Sequence, residues 1–225
     1  MTSRVVSQAR HGRVMLMFET RWTKPWSVPS PETKIPVLMR PRRFHDARGW
    51  FMETYSKARA EAGGLAVDFV QDNHSFSVAE GTVRALHFQR PPRAQAKLVR
   101  CLRGSIMDYA VDLRRGSPTY GDYVSATLTA SGGEQLYVPI GFAHGFVTLE
   151  PEVEVAYKVS ATYAPDCDGG IAWNDPTINI DWPLPPSGAI LSEKDGALPP
   201  LADIDSPFHY EGEPLRPLSD AMGAG

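Results

Sequence analysis

Gly132-Gly133-Glu134-Gln135-Leu136-Tyr137-Val138-Pro139-Ile140-Gly141-Phe142-Ala143-His144-Gly145-Phe146-Val147-Thr148-Leu149 is the stretch from which the fold is read. It holds two apolar runs of strand length, 134–138 and 145–149, joined by a Pro-x-Gly turn that aims His144 inward. The Gly132-Gly133 pair is a turn and not a phosphate loop, because no helical pattern follows it. Working outward, runs of the same kind cover 67–71, 82–89, 97–103, 105–113, 123–128 and 153–160. Gly81, Pro91-Pro92, Gly104, Gly116 and Pro151 punctuate the gaps between them. Many short strands at near-regular spacing predict an all-β sandwich or barrel, and not a βαβ fold.

The flanks are read the same way. Residues 45–49 form a turn that leads into a strand over 50–55. Residues 56–64 are rich in Ala, Lys, Arg and Glu and end at Gly63-Gly64, the pattern of a short helix with a glycine stop. Residues 1–34 show no sustained period and hold Pro25, Pro29 and Pro31, so they are expected to be an N-terminal extension. Met15 and Met17 within it offer alternative starts. The expected domain is 35–205, with the last helix-like material, if any, after 190, and 206–225 is expected to be a loose, proline-bearing C-terminal tail.

Composition narrows the function classes. The chain has 225 residues, 42% of them hydrophobic, which suits one ordinary domain with a core. A net charge of −3 argues against a nucleic-acid partner, which calls for a basic excess. No run of 18 apolar residues is present, so no membrane span is expected. Two cysteines, Cys101 and Cys167, do not make a disulfide framework in a chain of this length, and a cytoplasmic location is expected.

Four residues on or near these runs carry proton chemistry. His87 lies in the alternating stretch 82–89, Lys97 opens the next strand, Tyr157 lies on a later one, and Asp195 sits in a polar segment. A base, a cation, a phenol and a carboxylate suffice to move a proton next to a carbonyl. Taken singly, each has a blander reading: a hydrogen-bonded strand histidine, a core tyrosine, a solvated aspartate. Trp173 and Trp182 are expected to pack the core, and His74 to be structural.

Gly133-x5-Pro139-x-Gly141-x2-His144 resembles the second motif of the cupin double-sheet roll. A cupin metal site also needs two histidines in H-x-H spacing, and here that strand reads His87-Phe88-Gln89. Glutamine is a poor transition-metal ligand, so the roll is expected without a metal. A closer likeness runs in order along the chain: Phe44 to Gly49, Phe69 to Ser75, Val83 to Gln89, Lys97 to Cys101, Pro139 to Phe146, Ala156 to Lys158, Gly170 to Pro176 and Leu191 to Asp195. Together these segments resemble the dTDP-4-dehydrorhamnose 3,5-epimerase family over about 36–200.

The resemblance implies a double-stranded β-helix (a cupin or jelly-roll barrel) with short flanking helices. It implies a cofactor-free, metal-free isomerase. Such an enzyme would invert C3 and C5 of dTDP-4-dehydro-6-deoxy-D-glucose in dTDP-L-rhamnose biosynthesis. It places the base at His87, the base's carboxylate partner at Asp195 and the opposite-face acid at Tyr157. Lys97 fits as the donor to the enolate oxygen, and Lys158 or another cation as the group that lowers the Tyr157 pKa. Arg48, Glu53, Gln71, Asp72, Asn73, Arg84, His144 and Lys194 match substrate-contact positions. So does Asp168, where relatives often carry glutamate. A homodimer is implied, with the strand near Arg48 exchanged between subunits. Ala85 in place of glycine and Thr162 in place of an aromatic are further departures from the pattern. They keep open a 3- or 5-epimerase of another dTDP-4-keto-deoxysugar. A nucleotide-sugar-binding cupin without activity and a metal-dependent cupin oxygenase are the alternatives from other classes.

Overall fold

The computed structural model describes residues 34–218, so the expected N-terminal extension, apart from Lys34, lies outside the described residues. Twelve strands are described: β1 Val37–Met39, β2 Arg43–Asp46, β3 Gly49–Met52, β4 Gln71–Ser77, β5 Val83–Gln89, β6 Lys97–Arg103, β7 Ser105–Asp112, β8 Tyr123–Thr129, β9 Gln135–Val138, β10 Phe142–Thr148, β11 Val153–Val159 and β12 Asp168–Gly170. Helix α1 is Lys57–Ala62 and α2 is the single turn Glu193–Gly196. Two five-stranded antiparallel sheets, ordered β1-β9-β6-β11-β4 and β12-β5-β10-β7-β8, form the two walls of the expected double-sheet roll. The hairpin β2–β3 stands apart as its own two-stranded sheet.

Alternation along the strands fills the space between the walls. Val99, Cys101, Val153 and Val155 of the first sheet meet Ile106, Ala110, Phe142 and Phe146 of the second in one buried cluster. The outer face of the second sheet is covered as well, since Phe88, Tyr109, Val111 and Ala143 pack under Ile171, Ile178 and Trp182. With both faces buried, all seven residues of β10 are buried. Burying apolar surface at roughly 25 cal/mol per Å2 makes these two layers the main source of stability. The turns into β9 and β10 need their glycines: Gly133 and Gly141 take φ of +76° and +96°. A Cβ at Gly141 would also sit 2.7 Å from Arg114 Cγ.

Three expectations change. The apolar residues Val67 and Phe69 do not start a strand; they pack against α1 and Leu98, and the strand is the polar run Gln71–Ser77 that follows. In it Asp72, His74 and Phe76 are exposed, while Gln71, Asn73 and Ser75 are partly covered. The strand over 145–149 begins earlier, at Phe142. Residues 206–218 are not a loose tail, for Phe208 and Leu218 are buried in the two core layers. The proline-bearing segment lacks its own hydrogen-bond ladder. It borrows partners instead: Arg114 Nη1 donates to Glu213 O at 2.9 Å, and Thr119 Oγ1 accepts from Leu215 N at 3.0 Å.

Candidate active site

His87 and Tyr157 open into one cavity of about 410 Å3, lined also by Gln71, Asn73, Gln89, Gln95, Lys97, Tyr163, Asp168 and Lys194. His87 comes from β5 in the second sheet, and Tyr157 and Lys97 come from β11 and β6 in the first. The imidazole and the phenol therefore enter the cavity from opposing walls. A larger cavity of about 620 Å3 lies among residues 64–68, 139–141 and 207–211, away from this cluster. The smaller cavity is the candidate because the convergent titratable groups are there.

His87 Nε2 lies 2.8 Å from Asp195 Oδ1. Burial disfavours the Asp195 carboxylate, but the hydrogen bond and charge of His87, together with Ser192 and Lys194, outweigh it and hold its pKa below the usual value. The ionised carboxylate keeps the proton on the ring nitrogen that faces it and leaves the other nitrogen's lone pair free. Local chain chemistry puts Asp195 there: Ser192 caps α2, its Oγ accepting from Asp195 N at 3.1 Å.

Lys97 is 8% exposed, and its Nζ donates to His87 O at 3.3 Å, which sets the ammonium beside the base. Burial pulls its pKa down to about 8, against the opposing charges of Asp108 and Asp168. Burial raises the Tyr157 pKa, and the cation that works against this is Arg84. The expected helper Lys158 is turned the other way: its Nζ is 2.8 Å from Asp72 and 5.3 Å from the Tyr55 ring. Neighbours in a strand point to opposite faces, so Lys158 is directed to the other side of β11 from the Tyr157 hydroxyl and does not line the cavity with His87.

Arg84 and His87 are three apart and would face opposite ways in a regular strand. The register between β5 and β10 shifts, with His144 opposite His87 but Phe146 opposite Arg84. The extra residue on β5 sends Ala85 and Leu86 into the outer core layer. Arg84 is left reaching Ser77 Oγ on the first sheet at 3.3 Å.

The other expected site residues divide. Gln71, Asn73, Asp168 and Lys194 line the cavity, with an ion pair between Lys194 and Asp168. His144 is buried directly across the ladder from His87, bonded through Nε2 to Asp108 Oδ1 at 2.7 Å. Burial lowers its pKa despite Asp108. Asp72 lies on the outer side of β4 with Lys158. Arg48 is 90% exposed in the β2–β3 turn and pairs with Asp46 at 2.5 Å, and Glu53 pairs with Arg59 at 3.2 Å. Neither lines the cavity. Sequence reasoning missed Asp108, Gln89 and Gln95. The signal for Asp108 was a carboxylate at an inward position of the apolar run Ile106 to Val111. Among the described residues, no group of three His, Cys, Asp or Glu side chains is placed to hold a metal ion.

The whole barrel, from Lys34 through α2, falls within residues 32–203, which match the family model described as dTDP-4-dehydrorhamnose 3,5-epimerase. The chain belongs to the dTDP-4-dehydrorhamnose 3,5-epimerase family. It is 50% identical over 173 residues to the enzyme of that name from Sinorhizobium fredii, covering 77% of this chain and 88% of that one. It is similar to the solved structure of a dTDP-6-deoxy-D-glucose-3,5-epimerase from Legionella pneumophila in complex with dTDP-4-keto-L-rhamnose, at 39% identity and a TM-score of 0.74, over 80% of this chain and 97% of that one. A 3′-monoepimerase from Streptomyces bikiniensis in complex with dTDP-quinovose is also similar, at 30% identity and a TM-score of 0.68, over 74% of this chain and 84% of that one.

Proposed function

We propose that this chain inverts C3 and C5 of dTDP-4-dehydro-6-deoxy-D-glucose, giving dTDP-4-dehydro-L-rhamnose for dTDP-L-rhamnose biosynthesis. The observation that carries this reading is the carboxylate-backed His87 facing Tyr157 across one cavity, with Lys97 between the walls. The 4-keto group acidifies the C–H bonds on either side of it. His87 takes the proton from C3 or C5, and Asp195 stabilises the imidazolium that results. Negative charge moves onto the carbonyl oxygen, where the buried Lys97 ammonium offsets it. Tyr157, kept protonated by its raised pKa, returns a proton to the opposite face, and the configuration inverts. Gln71, Asn73, Asp168 and Lys194 bind the substrate around the cavity, and Arg84 and His144 support its walls.

The partner arrangement is part of the same reading. Hairpin β2–β3 exposes Phe44, Trp50 and Phe51 and carries Arg48 away from its own cavity. In a homodimer that exchanges this hairpin, Arg48 serves the other subunit's diphosphate, to which an arginine fork is suited, and Glu53 accepts hydrogen bonds from the uncharged part of the substrate. Cys101 and Cys167 are free thiols, which supports the cytoplasm as the location. Among the described residues, no helix is long and apolar enough to cross a membrane.

The test is to incubate the dTDP-4-keto-6-deoxy sugar with the protein in D2O and assign the label. Deuterium at both C3 and C5 is expected, with none incorporated by His87→Asn. Label at one carbon alone would move the assignment to a single-centre epimerase. The shortened Asp168 and the non-aromatic Thr162 beside Tyr163 are the features that favour that second reading.

A further inference from the structure

Residues Ala161, Thr162, Tyr163 and Ala164 form a loop that brings Tyr163 to the cavity wall, and each is tied through its main chain to a glutamine side chain. Gln95 Nε2 donates to Ala161 O at 2.7 Å. Gln89 Nε2 donates to Thr162 O at 3.3 Å, and also to Arg93 O at 2.6 Å. Tyr163 N donates to Gln71 Oε1 at 3.1 Å, and Ala164 N donates to Gln89 Oε1 at 2.8 Å. The loop thus presents two carbonyls and then two N–H groups. A carboxamide, with a separate donor end and acceptor end, can hold both kinds of group from one uncharged side chain. Gln89 is 3% exposed, ends the strand that carries His87, and occupies the position where a metal cupin would place its second histidine. Here its amide grips the loop instead.

The grip sets the cavity wall. Tyr163, whose main chain is held by Gln71, donates from its hydroxyl to Asp168 Oδ2 at 3.3 Å, and Asp168 is paired with Lys194. All three line the cavity with His87 and Tyr157. C3 and C5 lie on either side of C4, so one base and one acid must serve both. The ring must therefore shift inside the cavity between the two inversions without leaving. Retention through that shift depends on the wall, because loops that enclose a site set the rate of release. We propose that Gln89 and Gln95 are positioning residues that, with Gln71, hold the 161–164 loop closed so that the half-converted sugar stays for its second inversion. This rests on the two-centre reading above.

The experiment compares wild type, Gln89→Leu, Gln89→Glu and Gln95→Ala in D2O, counting product labelled at one carbon against product labelled at both. Gln89→Leu keeps the volume and removes all three bonds. Its singly labelled share at early times is expected to rise several-fold, with KM up about tenfold and the rate of first exchange changed by less than about threefold. Gln89→Glu keeps the acceptor for Ala164 but sets a buried carboxylate oxygen against the carbonyls of Arg93 and Thr162, so it should shift the share at least as far as Gln89→Leu. Gln95→Ala, at a less buried position, should shift the share in the same direction and covers the case in which Gln89→Leu does not fold. Folded variants with an unchanged labelling ratio and KM, or with a lower kcat alone, would overturn the assignment. Wild type labelled at a single carbon would instead overturn the two-centre reading, and the retention role with it.

Discussion

Lys97 shows how one side chain carries both a burial cost and a function. An ammonium enclosed by protein loses hydration, and its pKa falls to about 8. It is charged below that pH and neutral above it, so its help to an enolate is lost as pH rises. kcat/KM is expected to fall by about tenfold per pH unit above about 8, and the profile should lose this limb in Lys97→Met. The methionine variant should fold and be slower by about 10²–10³, the cost typical of one missing oxyanion donor. Stability runs the other way. Between about 8 and 10.5 the unfolded chain holds the Lys97 proton more tightly than the folded one, so wild-type stability should rise with pH there, and in Lys97→Met this contribution should vanish from a denaturant series. An unchanged alkaline limb in the methionine variant would remove Lys97 from the mechanism. His87, Asp195 and Tyr157 were legible as residue types suited to proton transfer. Asp108 was not, since its meaning comes from the His144 ring it meets across the ladder.

Secondary elements position these groups through local rules with identifiable failures. Helix α2 is a single turn whose N-cap holds Asp195 under His87. Ser192→Ala removes the cap at a cost of about 1 kcal/mol. For a chain of this size that lowers Tm by about 2–4 °C, while the larger effect should be on kcat as the carboxylate loses its setting. Calorimetry beside steady-state kinetics separates the two, and a Tm loss with intact kcat would show that the cap serves stability alone. Strand β4 marks where pattern reading failed. Apolar alternation locates strands whose inner face meets a core. The inner face of β4 meets a ligand cavity and its outer face meets solvent, so Gln71–Ser77 is polar throughout apart from Phe76. The shift between β5 and β10 is equally silent in sequence, yet it brings Arg84 to the first sheet.

The whole molecule is organised as two walls, one carrying His87 and the other Tyr157 and Lys97. Its second sheet is buried on both faces, but hairpin β2–β3 leaves aromatic surface uncovered and holds Arg48 apart from its own cavity. A hairpin exchanged within a twofold dimer predicts complementation. Co-expressed Arg48→Ala and His87→Asn chains, each nearly inactive, should regain about a quarter of wild-type activity, because half of the dimers are mixed and each mixed dimer has one intact site. Recovery of nothing from a verified mixed dimer would show that Arg48 serves its own chain or no site at all. The all-β class, the family and residue types suited to proton transfer are readable along the chain, because strand length, turn chemistry and ordered motifs are local properties. Folding in three dimensions is what brings His87 and Tyr157 to one cavity, turns Lys158 and Asp72 to the outer side of their strands, brings Arg84 into phase through a register shift, and closes 206–218 onto the barrel. Each of these depends on which strands pair and in what register, and that is settled by contacts between residues far apart along the chain.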